Sequence, residues 1–129
     1  MPFSAMEYAK MLGQKIAKHN TKVYLINTGW SGGPYGVGKR MNLVHTRAMV
    51  KAALTGDLET RLFTHDYIFN LDIPTSCTGV PTEVLNTRNS WSDKRKYDIS
   101  AKRLASLFVR NFEKFDSVAE EIRNAGPRG

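Results

Sequence analysis

The stretch NTGWSGGPYGVGKR, residues 27–40, joins a short apolar run to a segment with helical periodicity. Its second half, GPYGVGKR, has the glycine and lysine spacing of a P-loop, the backbone cradle that holds nucleotide phosphates. A P-loop continues with a serine or threonine that binds Mg²⁺, but this chain has Arg40 there. Three interpretations follow: a P-loop, a glycine-rich turn between strand and helix, or a loop that serves a nucleotide without cradling its phosphates.

The residues around this loop favour the interpretations other than a P-loop. A P-loop leads directly into a helix N-terminus, whose dipole helps to hold the phosphate. Here the helical pattern begins only at Asn42 or Leu43, after the lysine and arginine. Pro34 and Tyr35 are also bulkier than a tight phosphate cradle prefers. The pattern alone therefore favours the glycine-rich turn.

Length and composition indicate one folded domain with a modest core. The chain has 129 residues, of which 41% are hydrophobic. No apolar run approaches the roughly 20 residues of a membrane helix, and no secretory signal pattern opens the chain. Cys77 is the single cysteine, and no Cys/His spacing suggests a metal site. We therefore predict no metal ligands in this chain and a reducing, cytoplasmic environment.

The net charge of +7 indicates an anionic partner. Nucleic acids, nucleotides and small dicarboxylates all meet that description, so the charge alone does not choose among them. Part of the charge is clustered at Lys94, Arg95 and Lys96. On a helix, such a cluster is most often a solvated face.

Periodic apolar residues predict two helices and one strand in the first half of the chain. The first helix begins at a capping box headed by Ser4 and runs to about His19. Residues 22–27 are mainly apolar without alternation, which predicts a short buried strand. The second helix is capped by Asn42 and ends at Gly56, a residue type common at helix C-termini.

The second half of the chain predicts a strand, a long loop and a long helix. Residues 66–73 alternate between apolar and polar side chains, which is typical of a single strand. Residues 74–89 are rich in proline, threonine, glycine and asparagine and predict an extended loop. Ser92 is the predicted cap of a long helix whose apolar stripe reaches Phe115.

A second capping box, headed by Ser117, predicts a short fourth helix that Gly126 and Pro127 end. With about four helices and few strands, the fold class is α/β, mixed and helix-rich. A sheet of two strands is marginal by itself, and a strand as apolar as residues 22–27 needs neighbours on both edges. Either the chain has further strands that its sequence pattern does not reveal, or it is a piece of a larger protein.

Four stretches of the sequence resemble the ATP-dependent phosphoenolpyruvate carboxykinase family. They are YLINTGWSGGPYGVGKRMNLVHTRAMVKAALTGDL (residues 24–58), IFNLDIPTSCTGVPTEVLNTRNSW (residues 68–91), LASLFVRNFEKF (residues 104–115) and NAGPRG (residues 124–129). They match the family's N-T-G-W, G-K-R, T-R-A, F-N-L and N-[TS]-W patterns and its A-A-G-P tail. Together they cover nearly all of the chain, so the resemblance is far more specific than a lone glycine motif.

This resemblance implies that residues 1–129 are the C-terminal part of the nucleotide-binding domain of a longer chain, with Met1 as a fragment start. The family converts oxaloacetate and ATP to phosphoenolpyruvate, ADP and CO₂, a lyase reaction of gluconeogenesis. The true P-loop, the ligands of the divalent metal (Mg²⁺ or Mn²⁺) and most oxaloacetate contacts would then lie outside this chain. The resemblance therefore implies no catalytic residue here, and an isolated chain without turnover.

The resemblance also assigns three residues to the ATP site: Arg40 and Met41 of the G-K-R-[IM] pattern, and Thr46 of T-R-A. Their chemistry suits that role. Arginine offers a planar fork of donors to a nucleotide oxygen, methionine can pack its thioether on a purine, and threonine can hydrogen-bond a base edge. The ordinary alternatives are a solvated arginine, a core methionine and a threonine bonded to its own helix.

A second hypothesis is a small basic module that binds nucleic acid, based on the net charge and the basic cluster. Aromatic residues are not interleaved with the basic runs, and no nucleic-acid signature occurs, so we expect no nucleic-acid partner. We expect no membrane partner either. If part of a larger protein is absent, exposed core surface would favour self-association of the chain.

Overall fold

The computed structural model describes residues 3–115 and 117–128, which form six α-helices, one 3₁₀-helix and two antiparallel two-stranded sheets. The mixed, helix-rich α/β class is thereby confirmed. The elements are, in chain order, α1 (Ala5–His19), β1 (Trp30–Ser31), β2 (Lys39–Arg40), α2 (Leu43–Thr55), the 3₁₀-helix (Asp57–Thr60), β3 (Phe63–Asp66), β4 (Leu71–Pro74), α3 (Thr82–Leu85), α4 (Thr87–Ser90), α5 (Lys94–Phe112) and α6 (Glu120–Asn124). The interpretation of Met1 as a fragment start falls outside the described residues.

Local signals place α1 and α2 as predicted. Ser4 and Glu7 form the reciprocal capping box of α1, and Asn20 ends the helix in the left-handed conformation with φ 48°. The Asn42 side chain caps α2 by accepting a hydrogen bond from the backbone N–H of Val44. Gly56 ends α2 with φ 77°, which a glycine adopts without steric cost.

The predicted strand at residues 22–27 is wrong, because the described part of the chain has no strand there. Val23 and Leu25 are 68% and 84% exposed, whereas Tyr24 and Ile26 are half-buried. A strand requires hydrogen-bonding neighbours, and no described residues pair with this segment. The segment has the alternating exposure of a strand without the sheet that would cover it.

The residues predicted as one strand, 66–73, form the turn and one arm of the β3–β4 hairpin. Asn70 has a φ of 56°, and the Asp66 carboxylate accepts hydrogen bonds from the backbone N–H groups of Ile68 and Phe69. A left-handed asparagine and an aspartate that accepts from the following backbone N–H groups are both typical of a tight turn. The alternation of apolar and polar residues continues through the turn, which is why the pattern read as a single strand.

Three further boundaries differ from the predictions. Residues 74–89 are not one extended loop, since they contain α3 and the start of α4. Asp93 rather than Ser92 caps α5, because its carboxylate accepts from two backbone N–H groups of the first turn, and α5 ends at Phe112, short of Phe115.

The fourth helix, α6, is present, but the predicted capping box at Ser117 is wrong. Ala119 is its N-cap, and this described cap makes no side-chain hydrogen bond to the helix. A capping box fixes one spacing only, and here the helix begins later than that spacing requires. Beyond α6, the Arg128 N–H donates to the Ile68 carbonyl at 2.8 Å, which holds the end of the chain against the β3–β4 turn.

The core is small and lies between α2, the 3₁₀-helix and the segment before α3. Ala52, Leu58, Cys77 and Val80 are buried there. Burial raises the pKa of the Cys77 thiol, so the structure gives this cysteine no activation as a nucleophile. Among the described residues, no helix is long and apolar enough to cross a membrane.

A polar network fastens the 3₁₀-helix to the neighbouring loop. The Arg61 guanidinium donates to the Asp57 carboxylate at 2.7 Å and to the Thr78 hydroxyl at 2.9 Å. The Thr78 hydroxyl in turn donates to the second Asp57 oxygen at 3.1 Å. These bonds, chiefly the one from Arg61, lower the pKa of Asp57 below its usual value.

This network predicts an acid-dependent loss of stability. The folded pKa of Asp57 lies below the unfolded value of about 3.9, so its contribution is fully present above that value. As the pH falls through the folded pKa, Asp57 gains a proton and the contribution is lost. Urea unfolding midpoints between about pH 3 and 6 should fall toward acid, and less steeply in Asp57→Asn. An equal acid slope in both proteins would contradict the prediction.

Candidate functional site

The glycine-rich stretch forms a hairpin that makes one side of an open cleft of about 400 Å³. Strands β1 and β2 pair antiparallel, with Trp30 opposite Arg40 and Ser31 opposite Lys39. The other sides of the cleft come from the N-terminus of α2 and from α3 and α4, through Val84 and Ser90. A volume of this size is in the range of small-molecule sites.

The hairpin is not a phosphate cradle, because several of its backbone N–H groups are already bonded within it. Those of Val37 and Gly38 both donate to the Pro34 carbonyl, at 3.0 and 2.9 Å, and that of Met41 donates to the Gly29 carbonyl at 3.0 Å. A P-loop needs such groups free to face phosphate oxygens, and it runs directly into a helix. Here α2 begins at Leu43, beyond the end of β2. The stretch resembles a P-loop in sequence only.

Arg40 and Met41 lie side by side at the end of β2 and both line the cleft. Arg40 is exposed, while Met41 is half-buried. The Met41 N–H donates to the Gly29 carbonyl and β2 pairs with β1, so the backbone that carries both side chains is held in place. A cation beside an apolar, polarizable side chain is suited to a ligand with an anionic part and a flat ring.

Thr46 is not brought into the same cleft. It lies one turn into α2 and lines a neighbouring apolar groove together with Val50 and Leu54. Its hydroxyl is 3.5 Å from the carbonyl of Asn42, so the contact with its own helix is a long one. The side chain is half-buried and directly follows His45, which does line the cleft.

Sequence reasoning gave no role in this site to several residues that line the cleft, among them His45 and Ser90. His45 lines the cleft from α2, with its Nδ1 3.4 Å from the Gly79 carbonyl. Ser90 lines it from α4, and its hydroxyl donates to the Thr87 carbonyl at 2.7 Å. The N-[TS]-W pattern contains Ser90, so the sequence did single out this segment. The pattern could not show that the segment folds against the cleft.

The described residues do not fit a metal centre. No group of three or more histidine, cysteine, aspartate or glutamate side chains that could hold a metal ion occurs in residues 3–115 and 117–128. His65 does contact one carboxylate, with its Nδ1 2.8 Å from Asp72, but the two form an exposed cross-strand pair on the β3–β4 hairpin. The cleft lined by Arg40 and Met41 thus has no metal-ligand group among the described residues.

Comparison with known proteins gives the family of this chain. The family profile described as phosphoenolpyruvate carboxykinase, in its ATP-dependent form, matches residues 1–83. A protein named phosphoenolpyruvate carboxykinase (ATP) from Caldanaerobacter subterraneus subsp. tengcongensis is 63% identical over all of this chain, which covers 25% of that protein. Proteins of the same name from Fusobacterium nucleatum and Moorella thermoacetica are each 58% identical, over 99% and 98% of this chain.

The chain therefore belongs to the ATP-dependent phosphoenolpyruvate carboxykinase family, and the resemblance stated from its motifs is confirmed. It spans about a quarter of the length of the curated relatives that it matches. Nothing in these comparisons supports the alternative of a nucleic-acid-binding module. Lys94 of the basic cluster is also engaged structurally, since its Nζ donates to the carbonyls of Asn89 and Trp91 at 2.9 and 2.8 Å.

Proposed function

We propose that this chain supplies one wall of the ATP pocket of an ATP-dependent phosphoenolpyruvate carboxykinase. The observation that carries the proposal is the position of Arg40 and Met41, adjacent at the end of β2 and lining one open cleft. Residues 1–129 would then be the C-terminal part of the nucleotide-binding domain, and the remainder of the enzyme would close the cleft from the other side. The proposed reaction converts oxaloacetate and ATP to phosphoenolpyruvate, ADP and CO₂.

In this proposal the chain orients the nucleotide and makes or breaks no bond. The Arg40 guanidinium donates to nucleotide oxygens, and its side chain extends from a strand whose backbone is held by hydrogen bonds. Met41 packs its thioether against the purine ring. Thr46, next to His45 in α2, contacts the base edge of a nucleotide that extends from the cleft toward the apolar groove. Holding the ATP in one orientation lowers the entropy cost of phosphoryl transfer.

The divalent metal that this reaction uses, Mg²⁺ or Mn²⁺, would be bound by the remainder of the enzyme. A metal of this kind supplies charge neutralisation on the phosphates and on the enolate oxygen. The described residues offer it no ligand set, so their own contribution is limited to the nucleotide. Oxaloacetate and phosphoenolpyruvate would likewise contact other parts of the enzyme. We expect this chain alone to have no turnover and the whole enzyme to act in the cytoplasm in gluconeogenesis.

A full-length graft tests the proposed function. In this grafted enzyme, the present chain replaces the aligned quarter of the Caldanaerobacter subterraneus relative, to which it is 63% identical. We expect oxaloacetate- and ATP-dependent formation of phosphoenolpyruvate at a rate within about ten-fold of the relative itself, since the catalytic groups stay in place. Coupled assay of phosphoenolpyruvate measures this. A folded grafted enzyme with no ATP-dependent turnover would contradict the proposal.

A further inference from the structure

One wall of the cleft includes Ser90, the last residue of α4, and this single turn of helix reaches the glycine hairpin through that residue. Gly32, at the start of the hairpin loop, has a φ of 80°, and a Cβ added to it would lie only 3.1 Å from the Ser90 carbonyl oxygen. The backbone of α4 therefore lies directly against the backbone of the hairpin. A shift of α4 would change the width of the cleft at this point.

A helix as short as α4 does not hold its own position, since one turn is far below the length of a stable helix. Four contacts connect it to the first turns of α5. Arg88 binds Asp98 through two parallel hydrogen bonds, Nε–Oδ1 at 2.7 Å and Nη2–Oδ2 at 3.0 Å. The Thr87 and Tyr97 hydroxyls are 3.0 Å apart, and the Trp91 ring meets the Tyr97 ring edge-on at 5.7 Å. Lys94 supplies the fourth contact by donating to the carbonyls at the end of α4.

The Arg88–Asp98 pair is the most directional of these contacts. A guanidinium that binds a carboxylate through two bonds fixes both planes, which a point charge does not. The hydrogen bonds from Arg88 also hold the pKa of Asp98 below its usual value, so the carboxylate stays charged at neutral pH. Both side chains are partly exposed, at 48% and 38%, so the pair contributes little to overall stability. Its main effect is to set the orientation of α4 relative to α5.

We propose that Arg88 and Asp98 are positioning residues for the nucleotide: their ion pair holds α4, and α4 packs against the hairpin that carries Arg40. The inference rests on the proposed function, since it concerns the same cleft. Neither residue lines the cleft, and both act through Ser90 and Gly32. The pair thus connects the N-terminal turns of α5 with the geometry of the ATP pocket.

The grafted enzyme tests the inference through a split between kinetic constants. Arg88→Ala should raise the KM for ATP by about five-fold, a factor that corresponds to the upper end of the free energies measured for partly exposed ion pairs. The kcat and the KM for oxaloacetate should change less than about two-fold, because the reacting groups lie elsewhere. The reciprocal variant with Arg88→Asp and Asp98→Arg should recover most of the affinity, since it restores the pair with reversed polarity.

Asp72→Asn is the matched control, because it removes a carboxylate that contacts His65 on the surface, outside the cleft. It should leave the KM for ATP unchanged. If Arg88→Ala leaves the KM for ATP unchanged in an active grafted enzyme, the inference fails while the proposed function stands. If Arg88→Ala lowers the melting temperature and abolishes turnover, the pair is a folding determinant and the inference also fails. An inactive but folded unsubstituted graft contradicts the proposed function instead.

Discussion

Replacement of Arg40 by alanine is expected to raise the KM of the grafted enzyme for ATP by about 10- to 100-fold, the usual cost of losing hydrogen bonds to a charged group. Arg40 is exposed at the mouth of the cleft, and its strand is held by backbone pairing with Trp30 rather than by its side chain. The substitution therefore removes the guanidinium and leaves the hairpin in place. Steady-state kinetics with ATP varied at saturating oxaloacetate measure the effect.

Two further variants complete this experiment: one separates the geometry of the Arg40 side chain from its charge, and the other is a control. Arg40→Lys keeps the positive charge but loses the planar fork, so it should recover only part of the affinity. Arg103→Ala removes an exposed arginine from α5, outside the cleft, and should leave the KM for ATP unchanged. Equal KM values for Arg40→Ala and the unsubstituted graft would show that this side chain does not contact the nucleotide.

The elements that the sequence predicted correctly are those whose signals are local. The capping box of α1 and the Asn42 and Gly56 caps of α2 satisfy backbone groups within one turn of the helix. Their chemistry is complete within a few neighbouring residues, so it can be read from the sequence. The start of α5 was misjudged by one residue, because Ser92 and Asp93 are both good caps and the pattern does not choose between them.

The strands were predicted less well, because a strand depends on partners that are distant in sequence. Residues 22–27 have strand composition, but no described residues pair with them. The β3–β4 hairpin was missed because nothing in the apolar and polar pattern marks its turn. Its turn depends on the left-handed conformation of Asn70 and on the Asp66 carboxylate, and neither interrupts the alternation of apolar and polar residues.

The residues of the candidate site show the same difference between local signals and contacts of distant residues. Arg40 and Met41 are adjacent in sequence, their family pattern identified them as a pair, and both line the cleft. Ser90 reaches the cleft only because α4 packs against Gly32, a contact between distant parts of the chain. Thr46 belongs to a different pattern, T-R-A, and it lies in α2, where it lines a separate groove. Its assignment to the nucleotide stays a prediction.

Gly38→Ala should have the largest effect of any single change in the hairpin. A Cβ at this position would overlap the Gly33 carbonyl oxygen and lie 2.8 Å from the Ser31 carbonyl oxygen. Both are backbone atoms of the facing arm, so no flexible side chain can move aside, and β1 must separate from β2. Arg40 and Met41 then lose their fixed positions. We expect the KM of the grafted enzyme for ATP to rise by at least about 100-fold, because displacements near 1 Å have costs of that size.

Gly36→Ala is the matched control, because it adds the same methyl group to the same loop in open space. Gly36 has a φ of 87°, so alanine there costs about 1–2 kcal/mol of backbone strain without any steric overlap. Hydrogen–deuterium exchange of the peptide that contains Met41 reports the opening of the hairpin, since the Met41 N–H is bonded to the Gly29 carbonyl. Exchange should accelerate strongly in Gly38→Ala and only slightly in Gly36→Ala. If both variants bind ATP equally, the close approach of the two arms does not shape the pocket, and a flexible loop would serve the nucleotide equally well.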